Sequence, residues 1–390
     1  MRGKVILRRS GIRSWDWLLI FGIILAPMTG LRIWKVGPAE VLCLLWTLKY
    51  YPRRYLKIND TLKFFSLFLT AMFIGMLIGR LKAPGEVNAV GYLTWLYLAY
   101  IAMAFYEGLR RNSMDYNEKL LQFVAEYSIL WYLFLYYYSR LISTSFFGAP
   151  LWYANFRYSG GATNPHQLAV MMCGVAFILL RQAVLRRRRL WSLLLCFICV
   201  FLISQTKSST GYAALALGLL AEVYFFGASR MHGKRQRIAL AFAELVIAAA
   251  LVILFRGQVT QMLYEWIASD KNGLGRLQIF SSFFTAFAKS PLVGLGPGVH
   301  GLNGAIEFHN TYLEILAATG LIGFGVFIVY TVRILKKLSS DMTLVPILIA
   351  IYAYGLAGFA MRRLVYWGIL MLILAIGEQR GRLAQQASVR

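Results

Sequence analysis

Apolar stretches of about 15–20 residues recur along nearly the whole chain, each bounded by Arg, Lys, Gly or Pro. A run of that length crosses the hydrocarbon core of a bilayer as a helix, the form in which a segment satisfies its own backbone hydrogen bonds. One such run alone reads equally well as a buried helix of a soluble domain, but ten or more in series do not. Composition agrees, with 59% of the 390 residues apolar and 15% charged. A soluble domain carries about a quarter charged residues.

The pattern places spans near 15–31, 36–48, 63–79, 91–106, 120–139 and 166–183. Six more fall near 190–205, 212–228, 238–255, 312–332, 342–360 and 364–377. The expected fold class is all-α, a polytopic membrane protein of about 12 transmembrane helices. Residues 1–390 read as a single integral membrane domain with no internal repeat or low-complexity tract. The first run lacks a following small-residue cleavage site and reads as a retained span.

A formal net charge of +25 would point to nucleic acid in a soluble protein. Here the charge falls in short clusters between spans, and no nucleic-acid partner is expected. The clusters are Arg8/Arg9, Arg53/Arg54, Arg110/Arg111, Arg186 to Arg189, Lys234/Arg235/Arg237, Lys336/Lys337 and Arg380/Arg382. They act first as topology determinants, with contact to anionic membrane lipids as a second role. Placing the amino terminus inside puts about two thirds of the 41 Lys and Arg on the cytoplasmic side. Both termini are therefore expected in the cytoplasm, and residues 256–311 form a large loop on the outer face. Cys43, Cys173, Cys196 and Cys199 all lie within apolar runs and read as small buried hydrophobes.

The loop 256–311 carries Leu277, Phe280, Phe283, Phe284 and Phe287 at helical spacing, which predicts an amphipathic helix at the outer interface. Its aromatic face lies either in lipid or against the spans. The run Ser290-Pro291-Leu292-Val293-Gly294-Leu295-Gly296-Pro297-Gly298 then stops that helix and turns the chain tightly. The loop ends at Glu307-Phe308-His309-Asn310-Thr311, so His309 stands at the outer start of a span. A helix amino terminus suits a phosphate ligand, and its field disfavours an imidazolium. His309 can thus stay neutral and accept a proton, or it is simply a satisfied interfacial histidine.

Outer loops avoid Lys and Arg, so those present are informative. Arg276 precedes the amphipathic helix, Arg157 lies in Asn155-Phe156-Arg157-Tyr158, and Lys207 in the turn Thr206-Lys207-Ser208. Together they suggest an anion held at the outer surface, although a single interfacial cation can also merely snorkel.

At these residues the sequence resembles the O-antigen ligase and polymerase family of bacterial envelope glycosyltransferases. Its ligase motif, a His followed by Asn, Ser or Gln, nine residues and Gly-x-x-Gly, is matched by His309-Asn310, residues 311–319 and Gly320-Leu321-Ile322-Gly323. Gly275-Arg276-Leu277 through Gly296 resembles the family's loop ahead of that histidine. Arg157 through Asn164-Pro165-His166-Gln167-Leu168-Ala169 resembles another recurrent outer segment. The resemblance covers residues 150–330. One departure stands out: members often carry a Ser-Arg pair in the turn where this chain has Lys207-Ser208-Ser209, so Lys207 would supply that charge without bidentate geometry.

The resemblance implies a GT-C-like membrane fold whose large periplasmic loop carries short helices. It also implies transfer of a glycan from undecaprenyl pyrophosphate to an acceptor sugar hydroxyl at the periplasmic face of the inner membrane. The acceptor is the lipid A-core for a ligase and a lipid-linked repeat unit for a polymerase. The complete His motif favours the ligase, and the missing arginine favours the polymerase. In either case His309 is the candidate base and Arg276 the first candidate to stabilise the leaving pyrophosphate, assisted by Lys207 or Arg157. Asn310 would orient the base or bind sugar. No Asp-x-Asp pair occurs, and the outer segments hold few acids (Glu40, Glu86, Glu265, Asp270, Glu307), so no metal and no cofactor is expected. A secondary transporter would instead use Glu126, Glu222 and Glu244, which fall in the inner half of the bilayer, away from His309 and Arg276. A non-catalytic scaffold would tolerate loss of His309.

Overall fold

The computed structural model describes residues 11–388 apart from 34–35, 51–57, 83–88, 186–188, 229, 232, 258–259, 262–274, 299–307, 309, 357 and 359. Thirteen α-helices dominate the described residues, and every span expected from the sequence coincides with one of them. They are α1 (Asp16–Leu25), α2 (Pro38–Tyr50), α3 (Asp60–Lys82), α4 (Ala89–Leu109) and α5 (Met114–Leu141), then α6 (Pro165–Val184), α7 (Arg189–Thr206), α8 (Ser209–Ala228) and α9 (Lys234–Leu254). After them come α10 (Gly275–Lys289), α11 (Thr311–Leu338), α12 (Val345–Tyr354) and α13 (Leu364–Ser388). Eight are long and apolar enough to cross a bilayer: α3, α4, α6 to α9, α11 and α13. The chain is a multi-pass, all-α membrane protein.

The helix ends make two faces. The basic face carries Arg110, Arg111, Lys336, Lys337, Arg380 and Arg382, whereas the loop face is built from 142–164, the turn at 206–208, residues 290–298 and the loop 355–363. In lipid, two apolar helices gain no hydrophobic free energy by pairing, so close packing and buried polar bonds hold them. Rings seat in glycine notches: a Cβ on Gly108 would lie 2.5 Å from the Trp46 ring, and Gly218 makes room for Phe177 in the same way. Helices α6 and α13 are interior, with 89% and 83% of their apolar windows buried, whereas α9 lies outermost against α8.

Two clusters of paired charges tie helices together at the basic face. At the basic face Arg181 of α6 meets both carboxylate oxygens of Glu118 (2.6 Å each) on α5 and also Asp341 (2.9 Å) in the turn before α12. Arg380 of α13 reaches the same Asp341 at 3.2 Å. Asp60 of α3 pairs with Arg333 (2.7 Å) and Lys337 (3.1 Å) of α11.

Helix α11 is not continuous, which corrects the unbroken span expected over 312–332. Gly320 adopts φ 61°, ψ −166°, a conformation essentially reserved for glycine. The break frees backbone groups on either side, and residues 291–296 satisfy them as a strap. Leu295 and Gly296 donate N–H to the carbonyls of Ala317 (2.8 Å) and Ala318 (2.9 Å). Leu321 and Ile322 donate to those of Pro291 (2.8 Å) and Leu292 (3.1 Å). Irregular backbone at membrane depth survives only when buried in protein in this way. Gly75 of α3 closes the third side, where a Cβ would stand 2.5 Å from the Ala318 carbonyl oxygen.

The amphipathic helix expected ahead of the strap is present as α10. Phe283 and Ala286 are buried with Leu295, Phe308 and Ala317, and Phe287 packs beside them, while Phe284 is exposed. This part of the aromatic stripe therefore docks on α11. The Leu277 and Phe280 side chains lie outside the described residues.

Candidate functional site

Two groups of polar residues lie at the loop face. The first begins with paired hairpins after α5. Strands β1 (Ser145–Phe146) and β2 (Ala149–Pro150) pair antiparallel, as do β3 (Trp152–Tyr153) and β4 (Arg157–Tyr158). Phe147 and Gly148, both at positive φ, form the two-residue loop of the first hairpin, and Ala154 and Asn155, also at positive φ, lie in the three-residue loop of the second. Tyr158 is fully buried and its hydroxyl donates to the Tyr132 carbonyl at 2.7 Å, anchoring β4 to α5.

Arg157 beside it reaches the end of α7, where its Nε donates to the Thr206 carbonyl at 3.0 Å. Its Nη2 atom is buried and has no hydrogen-bond partner among the described residues. Burial draws the Arg157 guanidinium below its usual range, with Tyr153 opposing. Lys207 follows Thr206 at φ 46° and links α7 to α8, exposed, with Nζ 5.1 Å from the Phe156 ring centre. Next to it Ser208 Oγ accepts from the Gly211 N–H (3.1 Å) at the start of α8 and lies 2.6 Å from His166 Nδ1. His166 opens α6, whose cap is the Asn164 side chain accepting from the His166 N–H. Two distant sequence segments, 153–166 and 206–211, are thus one cluster containing Arg157 and Lys207.

The second group is the start of α11. The Asn310 side chain accepts from the Tyr312 (2.9 Å) and Leu313 (3.1 Å) N–H groups, and its Nδ2 donates to the Leu356 carbonyl (2.9 Å). It is a helix cap, which side-chain amides serve well. Thr311 is bound on both sides: its N–H donates to the carbonyls of Gly355 and Gly358, and its hydroxyl donates to Gly358 (2.7 Å) and accepts from the Ala360 N–H (2.9 Å). Upstream, the Phe308 N–H donates to the buried carboxylate of Glu314 at 2.9 Å. His309 itself, the Arg276 side chain, and the acids Glu86, Glu265, Asp270 and Glu307 lie outside the described residues. The backbone of Arg276 falls in the first turn of α10.

The two groups share one level of the bundle. Cys173 Sγ of α6 lies 3.3 Å from the Gly211 carbonyl of α8, while Gly174 packs against Ile351 of α12. The start of α8 therefore stands beside the end of α12, and from α12 runs the loop that receives Thr311. That loop also carries Arg362 and Arg363, half-buried cations that the sequence reading passed over. An Arg-Arg pair between two spans on the face that disfavours Lys and Arg was the available signal. Glu314 was passed over as well, because its position inside a span hides its reach back to Phe308.

What this face offers chemically is donors and positive charge, suited to an anion. Among the described residues, no three His, Cys, Asp or Glu gather as metal ligands would. The acids considered for a transport relay sit on separate helices. Glu126 accepts from Gln122 (2.8 Å), and Glu222 and Glu244 each bury a carboxylate oxygen without a hydrogen-bond partner among the described residues.

Residues 194–328, from α7 to the middle of α11, match the family described as O-Antigen ligase. That match takes in Lys207, Arg276, His309 and the Gly320 break, and it supports a glycosyltransferase-like function in O-antigen synthesis. No curated protein matches the chain.

Proposed function

Taking the match of residues 194–328 to the O-antigen ligase family as the premise, we propose that the chain transfers a glycan from undecaprenyl pyrophosphate to an acceptor sugar hydroxyl, as a ligase acting on the lipid A-core. The positive-inside rule orients the basic face, with both termini, to the cytoplasm and the loop face to the periplasm of the inner membrane. The observation that carries this reading is the buried Arg157 Nη2, with no partner among the described residues, beside the exposed Lys207. A buried donor without an acceptor is costly unless a ligand completes it, and phosphate oxygens are the acceptors a guanidinium fits best.

In the reaction, the acceptor hydroxyl oxygen attacks the anomeric carbon of the donor sugar. The bond from that carbon to the phosphate oxygen breaks, and its electron pair leaves with the pyrophosphate. His309 takes the hydroxyl proton, while Arg276, Arg157 and Lys207 stabilise the negative charge that develops. Asn310 keeps the histidine's neighbour fixed by capping α11, and its remaining amide hydrogen is available to sugar. With Arg and Lys in the role a divalent cation plays elsewhere, the transfer is metal-independent.

His309→Ala in membranes supplied with lipid-linked donor should lose about 10²–10⁴-fold in transfer rate. Arg157→Gln should lose about 10²–10³-fold. Both proteins should stay folded, and the wild type should keep its activity in chelator. Unchanged transfer by His309→Ala would return the chain to a scaffold role. The polymerase is the second reading, favoured by Lys207 in place of an arginine. Accumulation of long lipid-linked polymer in a null strain marks a ligase, and accumulation of single-repeat product a polymerase. Transport finds no support in the broken helix, because the carbonyls of Ala317 and Ala318 that could coordinate an ion already accept from the strap.

A further inference from the structure

A groove of about 640 Å³ opens to the bilayer between the first half of α3 and the second half of α11, at the basic face and away from the proposed transfer site. Its size falls within the roughly 300–1,000 Å³ of small-molecule sites. Along most of its length the walls are hydrocarbon. Leu67, Val326 and Val329 form the sides, and the Phe64 and Tyr330 rings, stacked with centroids 4.2 Å apart, close the back. Charge is confined to one end. There Lys63 and Arg333 flank one lining carboxylate, Asp60, which Arg333 pairs together with the neighbouring Lys337, itself also 3.6 Å from Glu378. Lys63 is exposed and makes no ion pair with the described residues. From Asp60 to Leu67 helix α3 rises about 10 Å. That lies within the roughly 15 Å of one leaflet's hydrocarbon.

We propose that this groove holds one anionic glycerophospholipid of the leaflet at the basic face, its phosphate against Lys63 and Arg333 and an acyl chain along Val326 and Val329. A molecule that is negative at one end and hydrocarbon over the rest is what this distribution matches. Basic pockets between transmembrane helices take such headgroups. A zwitterionic lipid or a partner helix would gain nothing from the excess of cations. The groove shares its two helices with the strap, since Gly75 of α3 and the Gly320 break of α11 lie farther along the same pair. A bound lipid therefore braces the helices that clamp residues 291–296.

The test is native mass spectrometry of the full-length chain released from bilayers of equal phosphatidylglycerol and phosphatidylethanolamine. The wild type should retain phosphatidylglycerol preferentially. Lys63→Gln should reduce that retention about five-fold, whereas Lys63→Arg should preserve it. Val329→Trp, which fills the groove, should abolish retention of either lipid. Thermal unfolding in detergent verifies that each variant is folded. Equal retention of the two lipids by the wild type would overturn the proposal, as would unchanged retention in Lys63→Gln. A change of oligomeric state in Val329→Trp would also overturn it, by showing that a second chain occupies the groove.

Discussion

Replacing Gly320 with alanine should damage this protein far more than its apolar, helix-forming surroundings suggest. The residue sits at φ 61°, ψ −166°, and an added Cβ would lie 2.5 Å from the Val293 amide nitrogen and closer still to the Leu292 carbonyl. Those are backbone atoms, so no side chain can swing aside. Holding a non-glycine residue in that conformation costs about 1–3 kcal/mol. Displacing the strap also weakens the bonds from Leu321 and Ile322 to Pro291 and Leu292, each contributing about 0.5–1.5 kcal/mol. The total is about 2–6 kcal/mol. Gly325→Ala, five residues along the same helix with nothing within 4 Å of the new methyl, is the matched control. It should be neutral or stabilise by roughly 0.5–1 kcal/mol. Apparent unfolding midpoints of the two variants, scanned at one rate in one detergent, measure the difference. If Gly320→Ala unfolds at the same temperature as Gly325→Ala, the strap does not hold the break in α11.

Other outcomes follow from single side chains. Thr311→Val keeps the shape but leaves the Ala360 N–H buried without its acceptor, which should destabilise by about 1–3 kcal/mol, with Thr311→Ser restoring most of it. Arg181→Ala strands Glu118 in the interior, leaves Asp341 with Arg380 as its remaining cation, and should cost about 3–5 kcal/mol in equilibrium unfolding. Burial pushes the Asp341 carboxyl up, but the Arg181 charge, the Thr343 hydroxyl and Arg380 outweigh it and hold the folded value below the usual carboxylate range. Its stabilisation is therefore complete above the unfolded value of about 3.9 and is lost as pH falls through the lower folded value. Thermal scans between pH 5 and pH 3 (about that range) should show a decline that Asp341→Asn reduces.

The sequence exposed the architecture because a bilayer imposes a simple demand: each crossing must be apolar and of sufficient length. All twelve expected spans coincide with helices, and eight of those are long and apolar enough to cross a bilayer. The break in α11 was hidden because Thr319-Gly320-Leu321-Ile322 continues the apolar pattern, and the groups that rescue it come from residues 291–296. The Gly-x-x-Gly motif was visible as a motif only; its geometry depends on the strap. Asn310 read as a ligand-binding amide, yet its position one residue before a span also makes it a cap, and capping is where the structure engages it. The meeting of Arg157 with Lys207 was beyond local pattern, since it requires a hairpin anchored by Tyr158 to lay its last strand over the end of α7.

The pairing of Arg181 with Glu118 and Asp341, reinforced by Arg380, fastens α5, α6, α13 and the turn before α12 at a single point. Pulling those elements apart there would leave charges stranded in hydrocarbon. At the opposite end the same helices are joined by hairpins, caps and loops held by neutral hydrogen bonds. The Arg181 cluster is thus a single rivet through four elements, and removing it loosens all of them at once.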